Sequence, residues 1–198
     1  IIKAALNLHQ AVIASFRKTA INFHYEFNIR HLSGVFQGLL LAQPNQFQDP
    51  EKLIKLWIHE SERIYGDRLV SVEHLNVYKA LVADLVKKNF SKFNLNRFFS
   101  GANPEPIIFC DFSQGINNER FYDQMPNDKL ETYVSEALKE YNDNYAVMDL
   151  VLFDDAMKHV CKISRIIRQP SGHALLVGVG GSGKQSLSRL AAFICGYV

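Results

Sequence analysis

The chain has 198 residues, 47% hydrophobic and 21% charged, and its 22 basic and 20 acidic side chains leave a formal charge of +2. That balance fits a globular protein of one or two domains with a sizeable core, and the scattered charges exclude a basic stripe for nucleic acid or an acidic tail. No segment approaches the roughly 20 apolar residues of a membrane span.

From Ile1 to Lys18, Ala5, Leu8, Val12 and Phe16 recur every three or four positions and predict an amphipathic helix. Asn28 offers a cap for a second helix carrying Ile29, Leu32, Val35 or Phe36, and Leu39. A third starts at Asp49-Pro50, an acidic cap followed by proline at the first helical position. Its inner face is Leu53, Trp57, Ser61 and Ile64, its outer face pairs Glu51 with Lys55, and Gly66 stops it. Ser71 caps a fourth, with Leu75, Tyr78, Val82 and Leu85 inside. Residues 1–92 are therefore expected to be all-helical.

Between Ser91 and Pro126, Asn, Gly and Pro surround the short apolar run Ile107 to Cys110, which predicts a connector containing one strand. Asp128 with Glu131 predicts a capping box for a helix reaching Tyr141. A further helix is expected from Val151 to Arg168, with Phe153, Met157, Val160, Ser164 and Ile167 on one face. Lys162, Arg165 and Arg168 near its end suit the helix dipole.

The run Ala174 to Lys184 then reads as a buried strand entering a phosphate-binding loop. In GxxxxGK, the glycines Gly178, Gly180, Gly181 and Gly183 let backbone N–H groups turn inward, with Val179 and Ser182 between them. Lys184 can reach the β and γ phosphates of ATP or ADP at the positive end of the following helix, whose face is Leu187, Leu190, Ala191 and Ile194. The alternative is a glycine-rich turn without ligand. The residue after the lysine is ordinarily a Ser or Thr whose hydroxyl holds Mg²⁺, and here it is Gln185, with Ser186 about 100° farther around the helix. A site that binds nucleotide, with weakened Mg²⁺ binding and poor hydrolysis, is the expectation.

His59-Glu60 with Arg63 lacks the second histidine of a zinc hydrolase, and no other metal motif is present. Cys110, Cys161 and Cys195 are too widely spaced for a disulfide framework or zinc site and point to a reducing, intracellular compartment. The chain begins without Met, has no leader segment and stops one helix after the loop, as a piece of a larger protein would. The fold class expected is mixed α and α/β: a helical lid bundle, then the first strand, P-loop and helix of a truncated P-loop domain.

Five stretches resemble dynein heavy chains in order and spacing: His24 to Ser33 (HYEFNIRHLS), Val35 to Leu40 (VFQGLL), Leu56 to Arg68 (LWIHESERIYGDR), Val151 to Cys161 (VLFDDAMKHVC) and Gly178 to Ser188 (GVGGSGKQSLS). The resemblance covers nearly the whole chain. It implies a ring of six AAA+ modules in one polypeptide, with residues 1–92 the helical lid of the third module. Residues 93–145 would then be a connector and 146–198 the start of the fourth. The ending Lys184, Gln185, Ser186, where cytoplasmic dyneins carry Lys-Thr, is similar to the axonemal branch, and an outer-arm β-type chain is the finer expectation.

The resemblance also implies roles. Arg30 matches the lid arginine that approaches phosphates in the third module, the alternative being a surface ion pair. Met148 to Phe153, Val151 included, matches the segment packing on adenine in the fourth, the alternative being the buried start of a helix. It further implies intermediate and light chains and microtubules as partners, and a place in the axoneme of a cilium or flagellum. The water-polarising acid, the sensor-1 residue and the neighbour's arginine finger have no counterpart here, so this chain alone should not hydrolyse ATP. The other reading left by the residues is a stand-alone P-loop regulatory or scaffolding domain with a helical partner-binding module.

Overall fold

The computed structural model describes residues 1–95, 98 and 106–197. It is mostly helical with one small sheet, and it divides into two compact units, Ile1–Ile107 and Ile108–Val198.

The first unit contains α1 (Ile2–Ser15), α2 (Ile29–Leu39), α3 (Pro50–Ile64) and α4 (Val72–Asn89). Three of the four begin where the sequence places a cap. Asn28 Oδ1 accepts from Arg30 N–H at 3.0 Å, and His31 Nδ1 accepts in turn from Asn28 N–H at 3.0 Å. Asp49 Oδ1 takes Glu51 N–H at 2.9 Å, and Ser71 Oγ takes His74 N–H at 3.1 Å. Each satisfies a donor the first turn leaves open. Glu51 and Lys55 pair at 3.2 Å as the spacing predicts.

The helices bury one stripe each. α1 contributes Ala4, Ala5, Leu8 and Val12, with Phe16 just beyond, and α4 contributes Tyr78, Val82 and Val86 at four-residue steps. Trp57 is fully buried and meets the ring of Phe90 edge-on at 5.8 Å. The α3 face is broader than the predicted one, because Leu56, Ile58, His59 and Glu60 are buried with Trp57 and Ser61, whereas Leu53 and Ile64 are only half-buried. His59 Nδ1 shares a hydrogen bond with Ile107 O at 2.9 Å, which fixes it as a packed residue.

Two further histidines make this unit acid-sensitive. His9 Nδ1 bonds the buried Tyr65 hydroxyl at 3.0 Å, and burial lowers its pKa below the ordinary 6.5. His31 is lowered first by burial and then by the Arg68 guanidinium. Below pH 6.5 the unfolded chain takes up protons that the folded one resists, so stability is full above that value and falls as pH drops toward the folded pKa values. Replacing His9 and His31 together by Gln should flatten the decline of the thermal midpoint between pH 6.5 and 5. An unchanged slope would contradict this account.

The second unit contains β1 (Phe109–Cys110) paired antiparallel with β2 (Asp123–Gln124), then α5 (Asn127–Asn144), α6 (Asp154–Arg168) and α7 (Lys184–Ile194). The connector thus carries two strands, not one. β2 is polar and gives no alternating signal, but its register sets Phe109 against Gln124 and Cys110 against Asp123. The core gathers Phe112 and Met125 from the connector, Val134, Ala137 and Tyr141 of α5, Val160 and Cys161 of α6, and Leu190, Ala191 and Ile194 of α7. Each fully buried aliphatic side chain contributes about 1.5 to 3 kcal/mol.

Asp111, beside β1, binds Arg120 Nη1 at 3.2 Å and Arg168 Nε at 2.9 Å, while Arg120 Nη2 donates to the Ile194 carbonyl. One carboxylate therefore joins the connector to the final turns of α6 and α7. The three cysteines are buried and free. Burial raises the Cys195 thiol to about 11, so it sits there as a protonated, apolar group.

Three expectations are corrected. α5 starts at Asn127 after Pro126 with no side-chain cap, so Asp128 lies inside the first turn and the Asp128–Glu131 capping box does not form. α6 starts at Asp154, not Val151: Val151 and Phe153 are 75% and 61% exposed, and apolar spacing alone extended the helix too far. The run Ala174 to Val179 is neither a strand nor buried, with Leu175, Val177 and Val179 at 90%, 87% and 79% exposure. A strand exists only by pairing, and among the described residues none lies beside it. Only Leu176 of that run packs on the core.

Candidate nucleotide-binding site

Gly178 to Ser186 leads from this exposed run into α7. Gly183 stands at the N-cap with φ +73°, and Gly181 has φ +76°, backbone that a side chain strains, so the loop needs glycine at both positions. Leu187 N–H returns to Gly183 O at 2.9 Å, which starts the helix. Among the described residues no side chain caps this N-terminus, and no acid lies in its first turn, so its open N–H groups and positive dipole end can face an anion.

Lys184 spans the loop. Its Nζ donates to Gly178 O at 2.8 Å, Val179 O at 2.6 Å and Ser182 Oγ at 3.0 Å. These contacts hold the ammonium over the start of the loop, concentrating positive charge there. Gly180 has open space where a Cβ would stand, so its contribution is flexibility, not clearance. Gln185 is exposed and Ser186 half-buried, and neither side chain makes a hydrogen bond within the described residues. Ser188 Oγ donates to Lys184 O at 2.8 Å and is thereby occupied within the helix.

The segment before α6 lies against this loop. Leu150 Cδ1 is 3.9 Å from the position a Cβ on Gly183 would take, and Leu150 and Leu152 pack on the same core as Met148. Met148 is buried while Val151 is exposed beside Leu150. Of this segment it is Leu150, between the predicted residues Met148 and Val151, that lies next to the loop. Sequence reasoning passed over Leu150 and also Asn142, whose amide bonds both polar groups of the Met148 backbone. An Asn in the last turn of a helix, followed by a non-periodic stretch, was the signal for it. Arg30 belongs to the first unit, in the exposed first turn of α2, with no ion pair to its guanidinium among the described residues.

A glycine loop that places a lysine across its own mouth and opens onto an uncapped helix N-terminus defines a P-loop protein. Residues 1–99 match the AAA+ lid domain model, and residues 148–198 match the P-loop containing dynein motor region D4. The chain belongs to the AAA+ proteins and, over its whole length, is homologous to axonemal dynein heavy chains. It is 56% identical over 197 residues to the dynein alpha chain, flagellar outer arm, of Chlamydomonas reinhardtii. It is 46% identical over 196 residues to dynein axonemal heavy chain 11 of Sus scrofa, and 47% over 195 to the ciliary dynein beta chain of Tripneustes gratilla. These alignments cover 98% or more of this chain but 4% of each relative, so the chain spans a small part of their length.

Proposed function

We propose that this chain is the part of an axonemal dynein heavy chain in which the lid of one nucleotide site is followed in sequence by the start of the next. Residues 1–92 serve as the lid of the third AAA+ module, 93–145 as connector and 146–198 as the beginning of the fourth. The fourth site holds ATP or ADP between the Met148–Val151 segment and the loop Gly178, Val179, Gly180, Gly181, Ser182, Gly183, Lys184, Gln185 and Ser186. The observation carrying this reading is the Lys184 ammonium fixed at 2.6 to 3.0 Å over the loop, in front of the uncapped α7 N-terminus. Homology along the whole chain favours a ring segment over a stand-alone scaffolding module.

The chemistry these residues supply is binding, not turnover. Backbone N–H groups and Lys184 neutralise phosphate charge, and bound nucleotide would supply the ligand energy that orders the loop. Without a hydroxyl at position 185, the loop has no ordinary Mg²⁺ ligand, so this site regulates while hydrolysis and movement along microtubules belong to other parts of the ring. The names of the relatives support a place in the axoneme of a cilium or flagellum. Intermediate and light chains are proposed as further partners of the parent heavy chain.

Gln185→Thr tests the metal argument. It should increase the Mg²⁺ dependence of ATP binding at this site by about tenfold, the equivalent of one charge-assisted contact. Strong Mg²⁺-dependent binding and rapid turnover already present with Gln185, measured with the other sites inactivated, would contradict it.

Arg30 is proposed to reach the phosphates of the third module. Because it is exposed and unpaired among the described residues, Arg30→Ala should change lid stability by no more than about 0.5 kcal/mol. It should still weaken coupling between nucleotide and lid by about 1 to 3 kcal/mol, read as affinity at the third site in the intact ring. Unchanged affinity with a large loss of lid stability would make it a structural residue.

A further inference from the structure

We propose that Asn142 is a positioning residue that sets the base selectivity of the nucleotide site by pinning the Met148–Leu150 segment beside the phosphate loop. The inference rests on the reading of that loop as a nucleotide site. Asn142 sits in the last turn of α5 and is half-buried. Its Oδ1 accepts from Met148 N–H at 2.8 Å and its Nδ2 donates to Met148 O at 3.3 Å. One side-chain amide thus binds both polar groups of one backbone residue, as a neighbouring strand would, in a stretch with no strand neighbour among the described residues.

The consequence reaches the site through two short steps. Leu150 N–H bonds Met148 O at 3.1 Å, so fixing Met148 fixes Leu150. Leu150 in turn lies against Gly183, the residue that starts α7. The backbone N–H groups of Asp149 and Val151, on either side of Leu150, make no hydrogen bond within the described residues. Open peptide groups held in fixed directions among apolar side chains can read the edge of a purine ring, and they discriminate only while their direction is fixed. Asn142 supplies that direction. Among the described residues its side-chain hydrogen bonds go to Met148 and to none from Gly178 to Ser186, so its effect should fall on the base and not on the phosphates.

The test uses the full-length heavy chain with the lysines of its other phosphate loops replaced, and compares ATP, GTP and inorganic tripolyphosphate as competitors of a fluorescent ATP. Asn142→Ala should weaken ATP about five- to tenfold, through the loss of two hydrogen bonds. Tripolyphosphate should stay within about twofold, and the preference for ATP over GTP should narrow. Asn142→Asp keeps the acceptor for Met148 N–H and loses the donor, so it should fall between the wild type and Asn142→Ala. It also carries the test should the alanine variant not fold. Equal losses for ATP and tripolyphosphate would reduce Asn142 to a helix-end tether and overturn the proposal, as would no change for any competitor. Lys184→Ala separates the two levels: it should weaken ATP and tripolyphosphate alike, and if it weakens neither, the nucleotide reading itself falls.

Discussion

Lys184→Ala should weaken ATP or ADP binding at this loop by about 1.5 to 3 kcal/mol, roughly ten- to 150-fold in affinity. The side chain does two things that alanine cannot. It carries the charge offered to the phosphates, and its hydrogen bonds to Gly178 O, Val179 O and Ser182 Oγ hold the loop in the shape that presents its N–H groups. Because the loop is exposed and contributes little to the core, the thermal midpoint of the second unit should hardly move. Equal occupancy in mutant and wild type would show that the lysine bridges its own loop and nothing else.

Gly172→Ala should do the reverse, with a large loss of stability and no direct contact with ligand. The turn after α6 folds back so closely that a Cβ on Gly172 would stand 1.8 Å from Ile166 O and 2.9 Å from Ile166 C. Both are backbone atoms, so no rotamer change relieves the clash. The turn must open, giving up the bond from Gly172 N–H to Gln169 O at 3.0 Å and disturbing the end of α6 where Arg168 meets Asp111. A loss of about 3 kcal/mol is expected, which lowers the midpoint of a domain of this size by about 10 °C or more. Ser171, one residue earlier, holds φ +56°, and Ser171→Gly should be neutral or slightly stabilising because glycine adopts that backbone freely. A midpoint unchanged by Gly172→Ala would contradict the close approach.

What could be read from the residues and what could not divide along physical lines. Asn28, Asp49 and Ser71 were legible as caps because each bonds an N–H two or three residues away, within the reach of local sequence. The phosphate loop was legible because its glycines and lysine answer to backbone geometry inside one short segment. The run from Ala174 to Val179 was not, since its apolar residues state a preference for a strand while pairing depends on a partner elsewhere. Phe153 fits the periodicity of α6 yet lies outside it, because Asp154 and Asp155 suit the first turn better than an apolar residue does. Leu150 acts through a contact that no period or motif announces, and Asn142 is marked only by its place at a helix end before a non-periodic stretch.

The most direct measurement is photo-crosslinking of the full-length heavy chain with 8-azido-ATP, followed by mapping of the labelled peptides. The account predicts an adduct within Met148 to Phe153, suppressed by excess ATP and lost in Lys184→Ala. Labelling of that segment to the same extent in Lys184→Ala, or labelling confined to other parts of the heavy chain, would contradict it.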